Sequence, residues 1–242
     1  MSHRPPRRLW SGVLVLTLLL AGCSGLPATD GGAQTPTVSV ENFSYPSGWS
    51  QDGIEDVSDA VATHRDAVTG VSRTTRAVTL DGEYNRTIVR RVDADAGTAS
   101  LRFVDTTFDN DVSVYYSDAG VFEYDLTTGE LVTRANDAWE MNDVGTVEQE
   151  TLSRPLDGVT LSASDTVLVE GTTAVEYTVT GLADPDRIPA NEASGTVVVT
   201  REGYVASLNV TKSNEDYWRE MTYSVTDVGS TDVERPDWAP EE

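Results

Sequence analysis

Cysteine, histidine and lysine are almost missing from this chain: one Cys, two His and one Lys (Lys212) stand among 242 residues. A lone Cys23 forms no intramolecular disulfide and supplies no Cys-rich zinc site. His3 lies in a segment expected to be removed, so histidine-based acid–base or zinc chemistry would rest on His64 alone. No Gly-x-Ser-x-Gly motif is present, and no 20-to-50-residue repeat. Basic clusters are also lacking: 17 Lys and Arg face 40 Asp and Glu, a net charge of −23. Phosphate backbones need such clusters, so nucleic acid is excluded as a partner.

The first residues carry targeting information instead. Arg4, Arg7 and Arg8 form a basic start, Leu9 to Ala21 an apolar run, and Leu20-Ala21-Gly22-Cys23 a small-residue cleavage site. The apolar run has about a dozen residues, short of the ~20 that a bilayer-spanning helix needs. Leu20, Ala21, Gly22 and Cys23 match the lipobox of prokaryotic lipoproteins. Cys23 is then the thiol that takes a thioether-linked lipid, becomes the new N-terminus and anchors the chain to the membrane. The pair Arg7-Arg8, followed by Leu9-Trp10, resembles a twin-arginine export signal. The expected location is the extracytoplasmic face of the cell membrane.

Removing residues 1–22 takes away three arginines and no acid, so the charge of −23 becomes −26. At low salt such a surface repels itself, whereas at molar salt the Debye length shrinks to ~3 Å and the repulsion is screened. Acidic excess with almost no lysine is associated with proteins of extreme halophiles. Sequons at Asn42, Asn85 and Asn209 are usable for N-glycosylation if they are exposed outside the cell.

The organisation expected is a signal peptide at 1–22, a lipid-anchored Gly/Thr/Pro tether at 23–47 and one β-rich domain at 48–242. Ile54, Val57, Val61, His64 and Val68 fall on one helical face, in a helix capped by Ser50 or Asp52 and ended by Gly70. His64 on that face is expected to be packed and satisfied. From Ser72 the period changes to two, and strands are expected over 72–80, 83–92, 98–104, 112–116, 121–126 and 130–133. The stretch 136–164 breaks the rhythm, with Val144, Val147, Thr151 and Leu152 fitting a short helix stopped near Pro155. Strands resume at 166–170, 173–180, 195–200, 204–212 and 217–228. The fold class is therefore α+β, mostly β: a large curved antiparallel sheet of about eleven strands on one amphipathic helix and short helical matter.

Asp93-x-Asp95-x-Gly97 and Asp109-Asn110-Asp111 offer oxygen ligands but complete no EF-hand loop, and both sit where hairpin turns favour Asp, Asn and Gly. No metal and no cofactor is expected. Tyr84, Ile88, Leu101, Phe103, Tyr177, Leu208, Met221 and Tyr223 share one sheet face. They read either as plain core or as the lining of an apolar cavity, since one short helix covers less than so large a sheet.

The lipobox, the tether, Pro46-Ser47-Gly48-Trp49 before a helix, the meander, the hairpin Glu170-Gly171-Thr172-Thr173-Ala174-Val175-Glu176-Tyr177 and the tail Pro236-Asp237-Trp238 together resemble haloarchaeal lipoproteins of unknown function. Their strand plan is similar to that of the LolA/LppX-type lipoprotein carriers, over most of residues 45 to 240. That resemblance implies an incomplete barrel whose helices cross its opening and whose cavity holds acyl chains. It departs from soluble carriers in that Cys23 fixes this chain to a membrane. The expected function is binding or carrying a hydrophobic, lipid-like ligand without catalysis. The alternative is a non-catalytic structural or protein-interaction domain of the envelope, with no protein partner identified.

Overall fold

The structure, a computed structural model, describes residues 38–134, 150–184, 186 and 188–240. Arg7, Arg8, Leu20, Ala21, Gly22 and Cys23 lie outside the described residues, as do the tether to residue 37 and the expected helical positions Val144 and Val147.

The packed chain begins before the expected boundary at residue 47. Phe43 is buried, Tyr45 packs edge-on against it with ring centroids 5.2 Å apart, and the Val38 carbonyl accepts a 2.7 Å hydrogen bond from Thr166. Two aromatic side chains give this short stretch enough apolar surface to dock. Next, β1 (Trp49–Ser50) and β2 (Gly53–Ile54) pair as a small hairpin. This corrects the helix start: Ser50, Asp52 and Ile54 belong to the hairpin. Helix α1 (Val57–Val68) is capped by Asp56, whose carboxylate accepts from Asp59 N–H at 2.9 Å. Gly48 permits the tight approach between turn and helix. Its φ is +82°, and a Cβ there would stand 2.3 Å from the Ala60 nitrogen.

The remaining strands are β3 (Arg73–Asp81), β4 (Tyr84–Asp93), β5 (Thr98–Asp105), β6 (Asn110–Ser117), β7 (Gly120–Asp125), β8 (Leu131–Arg134), β9 (Val159–Val169), β10 (Thr172–Leu182), β11 (Glu192–Thr200), β12 (Val205–Ser213) and β13 (Trp218–Thr226). They make one eleven-stranded antiparallel sheet in the order β8-β7-β6-β5-β4-β3-β13-β12-β11-β10-β9. Two meanders thus meet at the centre, where the first long strand pairs with the last, from Arg219↔Asp81 to Thr226↔Thr74. The edges β8 and β9 do not pair, so the sheet stays open. The expected strand at 166–170 in fact starts at Val159, because Val159, Leu161 and Ala163 alternate inward through polar neighbours.

The sheet curls strongly. Between β9 and β10, Glu170 and Gly171 have φ of +48° and +84°, a two-residue turn with both centres left-handed. The Glu170 carboxylate there accepts from the N–H groups of Asp227 (2.9 Å) and Val228 (3.2 Å), just past β13. In a flat sheet three strand spacings, about 14 Å, would separate β10 from β13. That gap exceeds the reach of a glutamate side chain.

One hydrophobic cluster fills the inner face of β9–β13, running from Phe43 and Trp49 through α1 to Leu152 and Leu156 of the helical residues 150–156. The β4–β8 wing carries only small clusters. On its outer face the C-terminal segment lies across Tyr115 and Phe122, and Trp238 stacks on Tyr124 with centroids 5.5 Å apart.

Candidate functional site

Strand parity defines what the inner face offers. Across the central strands Arg219, Met221, Tyr223 and Val225 stand opposite Asp81, Thr79, Ala77 and Thr75, and these stand opposite Tyr84, Arg86, Ile88 and Arg90. Tyr223 marks the face as inward, since its hydroxyl meets His64 Nε2 at 3.2 Å. On the β9–β13 side this face is covered. Toward β4 the cover ends, and a cavity of about 540 Å³ opens between the sheet and residues 150–154.

Ala77, Ile88 and Met221 form the apolar part of the cavity. Thr79, Asp81, Tyr84, Arg86 and Arg219 continue the strand-side wall, and Glu150, Thr151 and Arg154 make the helix side. Arg219 donates through Nε (2.9 Å) and Nη2 to Asp81 Oδ2. Arg86 Nε lies 3.7 Å from Asp105 Oδ2, and its guanidinium sits 5.2 Å from the ring centroids of both Tyr84 and Phe103. Such stacking holds a guanidinium in one orientation. Arg154 Nη2 is 4.0 Å from Glu150 Oε2 on the exposed helix side. Burial raises the Tyr84 pKa; Asp105 adds to the rise and Arg86 opposes it.

Lys212 positions the helix side. Its ammonium, buried beside the cavity wall, donates to the carbonyls of Arg154 (3.2 Å) and Asp157 (2.7 Å). A cation at the C-terminal end of a helix satisfies carbonyls that lack intrahelical partners. Burial lowers its pKa, partly offset by Asp157.

The eight residues expected to line a cavity do share the inner face, but they divide between two environments. Tyr84, Ile88 and Met221 line the cavity. Leu101 and Phe103 stand further along the wing, half-buried. Tyr177, Leu208 and Tyr223 are packed in the core. Tyr177 donates to the Ser50 carbonyl at 2.9 Å and lies under Trp49, with ring centroids 5.1 Å apart. Arg86, Arg154, Arg219, Asp81 and Thr79 were not among the expected lining. For the strand residues the signal was parity: Arg86 shares the face of Tyr84 and Ile88, and Arg219 that of Met221; Arg154 lies on the helical residues 150–156, where strand parity gives no signal.

His64 is fully buried and engaged at both nitrogens, accepting from Val205 N–H through Nδ1 at 3.0 Å and meeting Tyr223 through Nε2. Accepting at Nδ1 puts the ring proton on Nε2, so Nε2 donates to the Tyr223 hydroxyl. The acidic turns close on themselves. Asp93 accepts from Ala96 N–H at 2.9 Å, and Asp111 is paired with Arg102 at 2.9 Å. Among the described residues no group of three or more His, Cys, Asp or Glu is placed to hold a metal ion. The sequon residues Asn42, Asn85 and Asn209 are all exposed, the last two on the outer sheet face.

No protein-family profile matches the chain, and no curated relative matches it in sequence. Among solved structures it is similar to the Pseudomonas aeruginosa MucA/MucB complex, with 16% identity and TM-score 0.36 over 74% of this chain and 59% of that one. The chain thus spans little more than half of that neighbour's length. It is also similar to LprF from Mycobacterium bovis (9% identity, TM-score 0.36, covering 76% of this chain and 97% of that one). A LolA superfamily protein from Nitrosomonas europaea follows at 3% identity and TM-score 0.25, covering 74% and 94%. At these TM-scores none of the likenesses bears on what this chain binds.

Proposed function

We propose that this chain is a lipid-anchored extracytoplasmic protein that binds a hydrophobic or amphiphilic molecule in the concave face of its sheet and catalyses no reaction. The observation carrying this reading is the uneven cover of the inner face: β9–β13 are packed, while at Ala77, Ile88 and Met221 the same face opens into a cavity of about 540 Å³. That volume lies within the ~300–1,000 Å³ of small-molecule sites. A non-catalytic role is supported by the burial of His64 and by the commitment of the inner-face carboxylates Asp81 and Asp105 to arginines. The lipobox supports anchoring through Cys23.

Filling the cavity tests the binding reading. Ile88→Trp and Met221→Trp should each deplete co-purifying lipid while leaving the far-UV circular dichroism unchanged. Unchanged lipid content in both variants would contradict it. Cys23→Ser should release the protein from membranes, and full membrane retention would contradict the anchor. An envelope interaction domain is the second reading, favoured by the exposed apolar side chains Phe108, Leu126, Leu131 and Trp218.

A further inference from the structure

The geometry points to an anionic headgroup, a phosphate or carboxylate, on the molecule that this cavity takes. The inference rests on the ligand-binding reading above and specifies the ligand's chemistry. The whole chain carries 40 acidic side chains against 17 basic ones, yet the cavity lining inverts that ratio with three arginines, Arg86, Arg154 and Arg219, against Asp81 and Glu150. The two strand arginines are not a solvated fringe, whereas Arg154 on the helix side stays largely exposed. Arg86 and Arg219 each keep about a third of their side chain exposed (37%), and both belong to inner-face strands.

The two strand arginines are held ready rather than used up. A guanidinium has five N–H donors in a fixed fork. Arg219 engages Asp81 through Nε and Nη2 on a single carboxylate oxygen, and its position over the Tyr217 ring, 5.6 Å from the centroid, fixes its plane. Arg86 Nε is buried and makes no hydrogen bond among the described residues, its carboxylate partner Asp105 standing 3.7 Å away. The Tyr84 and Phe103 rings, each with its centroid 5.2 Å from the guanidinium, help hold Arg86 in place. Arg154 faces them from the helix side, held in place by the Lys212 bonds to the helix carbonyls.

The carboxylates are placed differently. Asp81 and Asp105 lie beside guanidinia, and neither offers the free cluster of oxygens that a cation requires. An oxyanion entering between Arg86, Arg154 and Arg219 would meet donors from three directions, an arrangement suited to bidentate contacts. Ala77, Ile88 and Met221 then receive the apolar portion next to the headgroup. At the ~30 Å³ that a water molecule occupies in the liquid, about 540 Å³ holds roughly eighteen groups of that size, so one headgroup and one chain fit.

The test uses the processed chain from residue 23 onward carrying Cys23→Ser, which lacks both the lipid and the apolar run at 9–21, in molar NaCl. Equilibrium dialysis measures decyl phosphate, decyl maltoside and inorganic phosphate, each below micelle-forming concentration. Decyl phosphate should bind at least tenfold tighter than decyl maltoside, with inorganic phosphate far weaker than either. Arg154→Gln, on the exposed helix side, and Arg219→Lys, which keeps the charge beside Asp81 but removes the fork, should each reduce that preference, read as the ratio of decyl phosphate to decyl maltoside affinity, severalfold. Equal affinity for the two decyl compounds would overturn the headgroup inference and leave the hydrophobic reading standing. Binding of inorganic phosphate as tight as decyl phosphate would overturn the amphiphile and leave an anion site. A preference that both variants retain in full would also overturn the assignment, because the arginines would not be its source.

Discussion

Tyr177→Phe removes one oxygen from the most aromatic part of the core, and its effect can be worked out at two pH values. Tyr177 is fully buried, and its hydroxyl donates to the Ser50 carbonyl at 2.9 Å, fastening the β1–β2 hairpin to the sheet. Without it that carbonyl loses a buried partner, at a cost of about 1–3 kcal/mol. In a domain of this size each kcal/mol lowers the melting temperature by about 2–4 °C. The same hydroxyl has its pKa raised, first by burial and then by Tyr45 and Glu55. A group whose folded pKa lies above its unfolded value contributes stability below the unfolded pKa and loses it as pH rises further. For a tyrosine that loss begins near pH 10, at up to ~1.4 kcal/mol per pH unit. Denaturant titrations in molar salt at pH 8, 10 and 11 measure both effects. The variant should be less stable at pH 8, and the gap should narrow by pH 11 as the native protein loses its Tyr177 contribution. Identical midpoints at pH 8, together with parallel declines to pH 11, would refute the placement of Tyr177.

Three further outcomes follow from the packing. His64→Ala leaves the Val205 N–H without its acceptor and opens a void beside Tyr223; unfolding free energy should fall by about 3 kcal/mol or more, read by denaturant titration. Gly48→Ala introduces a Cβ 2.3 Å from the Ala60 nitrogen at φ +82°, and should cost about 2 kcal/mol or more and loosen α1, seen as faster amide exchange over 57–68. Lowering salt from molar to about 0.1 M lengthens the Debye length from ~3 to ~10 Å, so the −23 chain should melt at a lower temperature in low salt, and a melting temperature independent of salt would contradict this.

Much of the sheet was legible because its strands alternate cleanly between Asx- and Gly-containing turns, and eleven expected strands correspond to the eleven of the sheet. The helix start was misread for a physical reason. Ile54 stands three residues before Val57, a helical spacing, but Gly53 at φ +120° turns the chain and Asp56 supplies the cap. Val159 to Ala163 was missed because Ser and Thr separate its inward residues and imitate a loop. His64 could be anticipated as a packed residue because Val57, Val61 and Val68 share its helical face.

The cavity was only half legible. Period-two alternation placed Tyr84, Ile88 and Met221 on one face, but the same parity included Arg86 and Arg219, which composition assigns to solvent. What resolved them was the pairing of β3 with β13 across 138 residues between Asp81 and Arg219, a long-range register that no local window contains. Which part of the inner face is covered depends likewise on where α1 and residues 150–156 pack, a question of tertiary placement.

The central claim, a hydrophobic or amphiphilic molecule bound in the concave face, is tested most directly by solvent extraction and mass spectrometry of the protein purified at high salt from its natural host. A single class of lipid at near-stoichiometric yield, diminished in Met221→Trp, is the result predicted. Protein that extracts clean, with the same empty extract from the Met221→Trp variant, would contradict the claim and leave an envelope domain whose sheet encloses only its own side chains.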